Sequence, residues 1–418
     1  MKILWIKAGK LLPVNKGSRI RSYYILRQLA RHHEVTLLSY YGGRSDPSYE
    51  SEIKQHLRGA VAVNTEVPDE TIIQRGFHYL RHLSSPTPFS IAKFTDPEVQ
   101  SLLGNWFRER RFDVAVCDFL SASLNFPRDL STPTVLFQHN VEGQLWRRQA
   151  QVQPIGLKKI VFKIEAAKMF RYEQDAVRKF HHVIAVSEQD RIQMSAMTDS
   201  SRITVVPTGV DVEQFRTASD FALRQPLVLF TGDMNWEPNI DGVNYFCREI
   251  WPRVLTQVPD AHFRIVGRDP HRSVRSLACG SVEVTGTVPS VIDHLKEARV
   301  FVVPLRMGGG TRLKIYEAMA AGKPVVSTTV GAEGLDVRDG RDILLADDAS
   351  TFADSVVNLL QDDALCRRCG KAAIELAARH DWSVIAEQFA DVLERVVKRT
   401  LGTQQGDLNV PSWGSVRA

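Results

Sequence analysis

The fold of this chain is decided by the stretch Pro304-Leu-Arg-Met-Gly-Gly-Gly-Thr-Arg-Leu-Lys-Ile-Tyr-Glu-Ala-Met-Ala-Ala-Gly-Lys-Pro-Val-Val-Ser327. An apolar run over 300–304 predicts a buried strand, and the run of three glycines at 308–310 predicts a loop. The pattern that follows predicts a helix beginning at Thr311, and the apolar residues 325–327 predict a second buried strand. The stretch therefore predicts a strand–loop–helix–strand unit, which is typical of parallel α/β sheets.

The start of that helix is suited to binding an anion. The first turn of a helix leaves backbone N–H groups unpaired, and such helix starts commonly bind phosphate. Here the free N–H groups would belong to residues 310–313. Arg312 and Lys314 add positive charge where the helix dipole alone favours negative side chains, which costs about 0.3–1 kcal/mol unless an anion binds there. We therefore expect a phosphate at this helix start, with Glu317 about one turn further along the helix.

The composition predicts a soluble chain of two domains. Its 418 residues exceed what one hydrophobic core usually spans, and a hydrophobic content of 44% is ordinary for a globular protein. The net charge of +5 suits an anionic substrate or an acidic membrane surface, but it is too small to indicate a nucleic-acid partner. No signal peptide or membrane-length apolar run is recognisable, which favours a cytoplasmic location.

The cysteines favour a reduced chain without a metal site. They are five in number and scattered, which does not fit a disulfide framework. Cys366 and Cys369 form a single Cys-x-x-Cys pair in a helical pattern, and no second pair completes a zinc site.

The beginning of the chain predicts another strand–loop–helix–strand unit. An apolar strand at 2–7 leads through a loop to Gly17, and Ser18 is expected to cap a helix that ends near residue 32. The dinucleotide fingerprint Gly-x-Gly-x-x-Gly is absent. Arg19 and Arg21 have two interpretations: they reach a phosphate, or they form the solvated basic start of a helix.

His139 follows the strand predicted at 134–138, in a position where ligands gather in parallel sheets. It either contacts a ligand or is a satisfied histidine at the start of a loop. Glu142 is expected to cap or orient the next helix.

Residues 146–182 are strongly basic, and the segment 156–163 alternates apolar and basic residues as an interfacial helix does. This surface either meets an anionic membrane or is a solvated helix face.

Residues 304–335 resemble the signature of the retaining family-four glycosyltransferases. Glu317 matches the second glutamate of their Glu–seven residues–Glu motif, and the segment 318–325 matches the Ala-Met-Ala-x-Gly-x-Pro-Val that follows. The first glutamate falls on Gly309, so the chain departs from the pattern there. The variant Gly-Gly-Gly-Thr-Arg-Leu-Lys resembles a branch of bacterial exopolysaccharide sugar transferases, and residues 134–142 and 203–215 support the resemblance.

The resemblance implies an α/β protein of GT-B fold, with two Rossmann-like domains of mostly parallel sheets that face each other across a cleft. The boundaries expected from the sequence are an acceptor-side domain at 1–207, a linker at 208–226 and a nucleotide-sugar-binding domain at 227–380. A helix at 381–399 would cross back to the first domain. The remaining residues, 400–418, are expected to form a disordered tail.

The resemblance also implies a set of site residues. His139, Arg312 and Lys314 would be catalytic; the residues that would bind the donor are Gly17, Arg306, Gly309, Gly310, Thr311, Leu313 and Glu317. Many family members place an arginine and a lysine just after the first strand of the second domain, where this chain has Asp233 and Asn239. Arg306, Arg312 and Lys314 are therefore inferred to hold the diphosphate. The alternative for the two arginines is surface ion pairing.

The function implied is that of a metal-independent retaining glycosyltransferase of the hexosyltransferase type. It would move a hexose from a nucleotide-diphosphate sugar to a glycan or lipid-linked acceptor in polysaccharide biosynthesis, without a cofactor. No Asp-x-Asp triplet occurs, which disfavours the metal-dependent sugar transferases of another fold. Two alternatives stay open: a nucleotide-sugar epimerase of the same fold, and a catalytically silent homologue, which Gly309 in place of the first glutamate would favour.

Overall fold

The chain divides into two compact α/β units. In the computed structural model, the described residues are 1–65, 78–79, 82–216, 225–308 and 312–408. The first unit comprises Met1–Val206 together with the chain from Ala386 onward, and the second comprises Pro207–Ile385. No helix in these ranges is both long and apolar enough to cross a lipid bilayer.

The first unit is built on a parallel sheet whose described strands number seven. These strands are β1 (Lys2–Ala8), β2 (Glu34–Tyr41), β3 (Val61–Asn64), β4 (Val114–Asp118), β5 (Thr134–Phe137), β6 (His182–Ala185) and β7 (Ile203–Val205). Their order across the sheet is β3-β2-β1-β4-β5-β6-β7. The helices described in this unit are α1 (Gly17–Leu29), α2 (Pro47–His56), α3 (Phe89–Ala92), α4 (Pro97–Arg108), α5 (Glu142–Val152), α6 (Leu157–Lys179) and α7 (Glu188–Ser195).

The order of the strands brings distant polar residues together at one edge of this sheet. Ile3 to Ile6 of β1 are fully buried, as expected for a strand covered on both faces. In the register, Lys7 of β1 pairs with Asp118 of β4, and Asp118 pairs with Phe137 of β5. The carboxyl ends of β1, β4 and β5 are therefore side by side, and His139 follows immediately after the last of them.

The second unit is built on a six-stranded parallel sheet in its described part. Its strands are β8 (Leu227–Thr231), β9 (His262–Val266), β10 (Val282–Gly286), β11 (Val300–Val303), β12 (Val325–Ser327) and β13 (Leu344–Leu345), in the order β10-β9-β8-β11-β12-β13. Its described helices are α8 (Val212–Arg216), α9 (Glu237–Tyr245), α10 (Trp251–Gln257), α11 (Arg272–Arg275), α12 (Val291–Glu297), α13 (Leu313–Ala320), α14 (Ala349–Gln361) and α15 (Asp363–Arg379). One turn of π-helix, Phe246–Ile250, joins α9 to α10.

The loops after β8 and β9 pack backbone against backbone. A Cβ atom built on Gly267 would lie 1.7 Å from the carbonyl oxygen of Gly232. A side chain at position 267 therefore requires the two loops to separate. This close approach sets the position of the segment after β8, which leads into α9.

The last helix, α16 (Trp382–Leu408), supplies the part of the first unit that lies beyond Ile385. Phe389 on this helix packs on two rings of the first sheet, with centroid distances of 5.3 Å to Trp5 and 5.1 Å to Phe137. The helix ends about nine residues beyond the expected end of the crossover helix, so residues 400–408 are helical rather than a disordered tail. Residues 409–418 lie outside the described residues.

Two expected helix starts differ in the structure. Ser18 does not cap α1, because the cap position is Lys16, which offers no side-chain bond, and Ser18 lies inside the helix. The helix expected to begin at Thr311 has Leu313 as its first described residue and Arg312 as its cap. Thr311, Gly309 and Gly310 lie outside the described residues. In contrast, α7 has a side-chain cap, because the hydroxyl of Ser187 accepts a bond from the N–H of Asp190 at 3.1 Å.

Candidate active site

Lys314 lies in the first turn of α13 and is held by polar and aromatic groups of the second unit. Its ammonium donates to Oδ1 of Asn239 at 3.0 Å and lies 4.2 Å from the centroid of the Phe230 ring. Burial and, to a smaller extent, the charge of Arg312 lower the pKa of Lys314 to about 7, against the opposing charges of Glu317 and Asp233. Near neutral pH this lysine is therefore only partly charged, and a bound anion would restore its proton.

Asn239 orients Lys314 and is itself fixed by the loop after β8. Its Nδ2 donates to the carbonyl oxygen of Asp233 at 2.8 Å, which leaves Oδ1 for Lys314. Gly232 makes room for both side chains, because a Cβ there would lie 2.6 Å from Nδ2 of Asn239 and 2.7 Å from Nζ of Lys314. From the sequence, Asn239 was noted only as a replacement for a basic residue. The presence of an amide at position 239 and a lysine at position 314 was the only feature of the sequence that could have indicated their contact.

Arg312 is buried beside Lys314. Arg312 is 5% exposed, and its guanidinium carbon lies 5.2 Å from the centroid of the Trp236 ring. Burial lowers the pKa of Arg312 to about 10, against the opposing charge of Glu333. An arginine with this burial does not fit the alternative of a surface ion pair. Gly308, at φ +113°, is required nearby, because a Cβ there would also lie 2.8 Å from a guanidinium nitrogen of Arg312.

Arg306 is placed differently from Arg312. Its Nε donates to Asp241 at 3.0 Å, a second guanidinium nitrogen donates to the other oxygen of the same carboxylate, and the side chain is half exposed. The guanidinium carbon lies 4.5 Å from the centroid of the Tyr245 ring. This is the surface ion pair that was the alternative to phosphate binding. Arg306 would have to leave Asp241 to bind a phosphate fully.

Glu317 faces Lys314 from one turn further along α13. Burial raises the pKa of this partly buried carboxyl, and the charge of Lys314 opposes the shift. The helix is held in place from its other side by Tyr316, whose ring stacks on His380 with centroids 4.3 Å apart and whose hydroxyl lies 3.0 Å from Nε2 of His380. The cations and the carboxylate of α13 are therefore presented by a fixed helix. Leu313, expected to bind the donor through its backbone, is the first residue of that helix.

A second polar cluster lies at the carboxyl edge of the first sheet and is centred on Asp118, which is 1% exposed. Oδ2 of Asp118 accepts from Nε1 of Trp5 at 3.0 Å and from Nζ of Lys7 at 2.9 Å, and it lies 2.6 Å from the hydroxyl of Ser22. Oδ1 lies 2.8 Å from Nε2 of His139. Burial would raise the pKa of Asp118, but the bonds with Lys7 and His139 outweigh it and hold that pKa well below its usual range.

His139 is buried in this cluster with one ring nitrogen in use. It is 3% exposed, and its ring contacts those of Phe119 and Phe137, at centroid distances of 5.4 Å and 4.5 Å. Its Nδ1 has no hydrogen-bond partner among the described residues. Burial lowers the pKa of His139 to about 4, and Asp118 opposes the shift. Nε2 has a hydrogen-bond partner and Nδ1 has none among the described residues, so the interpretation as a satisfied histidine fits Nε2 alone.

The basic residues at the start of α1 have separate structural roles. Gly17 is the first residue of the helix, and Nη1 of Arg19 lies 3.4 Å and 3.3 Å from the carbonyl oxygens of Leu12 and Pro13, which it braces. Arg21 is 5% exposed, and burial lowers its pKa to about 10 against the opposing charges of Asp190 and Asp118. The interpretation as a solvated helix start is therefore wrong for Arg21.

Glu142 does not cap the helix that follows His139, so of the two expected roles, capping and orienting, the first is wrong. The cap is provided from α6 by Glu173, which accepts from the backbone N–H groups of Glu142 and Gly143 at 2.8 Å each and from Nε2 of Gln138 at 2.9 Å. Burial raises the pKa of both Glu142 and Glu173 to about 7. A cap from 31 residues away has no local sequence signal, because caps are read from neighbouring positions.

Comparison with known proteins finds two glycosyltransferase family models that match successive parts of the chain. Residues 16–214 match the family model Glycosyltransferase Family 4, and residues 225–362 match the model Glycosyl transferases group 1. A phosphatidyl-myo-inositol mannosyltransferase of Mycobacterium leprae is 34% identical over 238 residues, which are 53% of this chain and 62% of that protein. This chain therefore spans less than two thirds of the length of that relative.

Two further proteins match over more of the chain. An uncharacterized 44.6 kDa protein in the cps region of Klebsiella pneumoniae is 23% identical over 373 residues, which are 85% of this chain and 90% of that protein. The crystal structure of Anabaena HepE in complex with UDP superposes with a TM-score of 0.64 at 14% identity, covering 94% of this chain and all of HepE. The second likeness shows the fold alone. The chain therefore has the two Rossmann-like α/β units of the GT-B fold, with residues 16–214 similar to Glycosyltransferase Family 4 and residues 225–362 similar to Glycosyl transferases group 1.

Proposed function

We propose that this protein is a metal-independent retaining glycosyltransferase that moves a hexose from a nucleotide-diphosphate donor to a glycan or lipid-linked acceptor. The observation that carries the proposal is Lys314, a half-buried amine with a lowered pKa beside the buried cation Arg312 at the start of α13. Two cations together at a helix start are unfavourable until an anion binds. A diphosphate would place its negative charges against both cations.

The chemistry expected of these groups is stabilisation of a leaving diphosphate. The bond between the anomeric carbon and the phosphate oxygen breaks, and a bond to the acceptor oxygen forms on the same face of the sugar. The proton of the acceptor hydroxyl passes to the leaving phosphate, so no separate base is needed. Lys314 and Arg312 stabilise the negative charge that develops on the departing oxygen. Retention is proposed from the match of Glu317 to the second glutamate of the retaining-family motif.

The remaining site residues have roles proposed on the same basis. Glu317 accepts hydrogen bonds from the ribose hydroxyls of the donor, and His139 contacts the transferred sugar. Gly17, Gly309, Gly310, Thr311 and Leu313 approach the donor through their backbone. Arg306 is proposed as an outer phosphate contact that exchanges Asp241 for the donor. The role in exopolysaccharide synthesis is proposed from the Gly-Gly-Gly-Thr-Arg-Leu-Lys variant, and the cps-region relative is consistent with it.

We also propose that α6 and the turn before it bring the protein to an anionic membrane at the cytoplasmic face. The first residues of this segment expose large apolar side chains: Ile155 is 97% exposed, Leu157 83% and Ile160 55%. Basic side chains line a groove of about 610 Å³ beside them, namely Arg147, Lys159, Lys163 and Arg171. Apolar side chains that enter the interface beside cations that attract anionic headgroups are typical of peripheral binding. Such binding suits a lipid-linked acceptor.

The test is transfer from a panel of UDP-, GDP- and dTDP-hexoses, with release of the nucleoside diphosphate measured with and without EDTA. A metal-independent transferase releases nucleotide from one donor at an EDTA-insensitive rate, and NMR of the product shows the anomeric configuration of the donor. Lys314→Ala should slow that release by about two orders of magnitude, as loss of one oxyanion donor does. Isomerised sugar without transfer would identify an epimerase, and no reaction with any donor or acceptor would favour a silent homologue.

A further inference from the structure

The Asp118 cluster contains an asymmetry that the proposed function does not use. Oδ2 of Asp118 faces Trp5 and Lys7, whose indole N–H and ammonium can only donate. Among the described residues, the contact of Oδ1 is with His139, at 2.8 Å from Nε2. Because the carboxylate has no proton to give, the hydrogen in that contact belongs to Nε2 of the imidazole.

The second imidazole nitrogen follows from the first. A neutral imidazole carries one proton, so an Nε2–H leaves Nδ1 as a hydrogen-bond acceptor. The charges that face His139 are Asp118, Lys7 and Arg21, and Lys7 already balances the carboxylate. Burial adds to this by lowering the pKa of His139 to about 4, so the ring is neutral at physiological pH. Nδ1 is buried and has no partner in the described part of the chain.

A buried acceptor without a partner costs free energy that a ligand recovers by supplying a donor. A sugar hydroxyl is such a donor. Resting on the proposed function, we propose that Asp118 is a positioning residue that fixes His139 as the Nε2–H tautomer, so that Nδ1 accepts a hydrogen bond from one hydroxyl of the transferred sugar. Trp5 and Lys7 hold the carboxylate in the orientation that this requires.

The Asp118→Asn substitution tests the tautomer, because it should reverse it. The amide has one oxygen and one NH₂ group. Two side chains that can only donate, Trp5 and Lys7, keep the amide oxygen on their side, which turns the NH₂ toward Nε2 of His139. Nε2 must then accept, and the proton of the ring moves to Nδ1. The matched control is Asp113→Asn, an exposed carboxylate at the start of β4 that accepts only from the backbone N–H of Lys2 among the described contacts.

The tautomer is measured by long-range ¹H–¹⁵N correlation on protein labelled at histidine, with the His139 signals assigned by their loss in His139→Gln. We expect Nδ1 to be unprotonated in the wild type and in Asp113→Asn, and protonated in Asp118→Asn. Nδ1 found protonated in the wild type overturns the proposal, and this measurement does not depend on whether the variant folds. Should Asp118→Asn leave Lys7 too poorly paired to fold, Lys7→Met/Asp118→Asn removes the unpaired cation and carries the same expectation.

The function of Nδ1 is tested with monodeoxyfluoro analogues of the donor sugar, since fluorine cannot donate a hydrogen bond. In the wild type, one analogue of the set should bind about tenfold or more weakly than the parent sugar nucleotide. In Asp118→Asn, whose Nδ1–H donates, that penalty should largely disappear, while binding of the free UDP or GDP stays as in the wild type. Equal penalties in the two proteins overturn the role of Nδ1. If the wild type binds no sugar nucleotide, the proposed function is overturned. The NMR result on the tautomer of His139 does not depend on that outcome.

Discussion

The ammonium of Lys314 donates to Oδ1 of Asn239 at 3.0 Å, across 75 residues of sequence. The amide of Asn239 is oriented by its own bond to the carbonyl oxygen of Asp233. A neutral amide orients the lysine without cancelling its charge, as a carboxylate in the same place would. The pair therefore leaves a partly charged amine whose protonation a bound anion would complete, and this has a consequence that can be measured.

Binding of a nucleoside diphosphate should depend on pH through Lys314. The pKa of this lysine is lowered to about 7 without ligand, and a bound anion raises it, so binding above pH 7 must take up a proton. We expect the Kd to rise by up to about tenfold per pH unit between pH 7 and 9. Calorimetry in buffers of different ionisation enthalpy measures both the Kd and the proton uptake.

The matched variants for that experiment are Lys314→Arg and Glu317→Gln. The guanidinium of Lys314→Arg stays charged, so its Kd should be flat over the same range. The carboxylates that face Lys314 are Glu317 and Asp233, and a titration of Glu317 is excluded if Glu317→Gln keeps the slope of the wild type. A wild-type Kd that is the same at pH 7 and pH 9 would contradict the role of Lys314.

Replacing Glu317 should affect binding of the donor more than turnover. If its carboxylate accepts bonds from the ribose hydroxyls, these bonds exist in both the ground state and the transition state, so their loss raises KM and changes kcat little. We expect Glu317→Ala to raise the donor KM by about tenfold or more, because hydrogen bonds to charged groups are worth about 1.5–3 kcal/mol. Steady-state kinetics with Glu375→Ala, an exposed glutamate on α15, provide the control. An unaltered KM would exclude the ribose contact.

Gly267→Ala should destabilise the second unit at the carboxyl ends of β8 and β9. The new Cβ would lie 1.7 Å from the carbonyl oxygen of Gly232, so two backbone segments must move apart. Overpacking of this kind costs about 1–3 kcal/mol, and we expect a lower Tm together with weaker donor binding, since Gly232 borders Asn239 and Lys314. Gly280→Ala is the control, because a Cβ at Gly280 meets nothing within 4 Å. Equal thermal unfolding of the two variants would show that the loops adjust freely.

Binding to anionic vesicles should require the apolar residues at the start of α6. Ile155→Ser/Leu157→Ser should float less with phosphatidylglycerol vesicles than the wild type, because burial of these side chains in the interface is lost. The control is Ile192→Ser on α7, which removes another exposed isoleucine, 58% exposed. Binding of the wild type should weaken when salt is added or when the vesicles contain phosphatidylcholine alone, because anionic lipid contributes about 1 kcal/mol of binding free energy per basic residue. Equal flotation of all three proteins would show that the apolar residues at the start of α6 do not contribute to membrane binding.

The strands expected at 2–7, 134–138, 300–304 and 325–327 were predictable from the sequence, because each is a short apolar run with a clear end. The position of His139 after β5 was predictable for the same reason. Its partner Asp118 was not, because the contact depends on the order of the strands, which places β4 beside both β1 and β5. Likewise, the basic character of Arg306 is plain in the sequence, but its pairing with Asp241 depends on how α9 packs against the segment after β11. Local patterns predict elements, whereas the partners of polar side chains are set by tertiary packing.

The errors at helix starts have a similar origin. Ser18 has the side chain of a good cap, but α1 begins two residues earlier, where Lys16 provides none. Glu142 is at the start of α5 as expected, and yet the N–H groups there are satisfied by Glu173. A cap from within the sequence is only one of several ways to satisfy the first turn of a helix, and a buried carboxylate from another helix serves equally well.

The membership of α16 in the first unit has a consequence for synthesis of the chain. Phe389 packs on Trp5 and Phe137, but the ribosome reaches it only after translating the whole of Pro207–Ile385. Until then the newly made first unit carries an uncovered aromatic patch, while the second unit has all of its own residues and can fold at once. The unit that emerges first from the ribosome is thus the unit that is completed last. We expect chaperones to be most important in the interval between the two events.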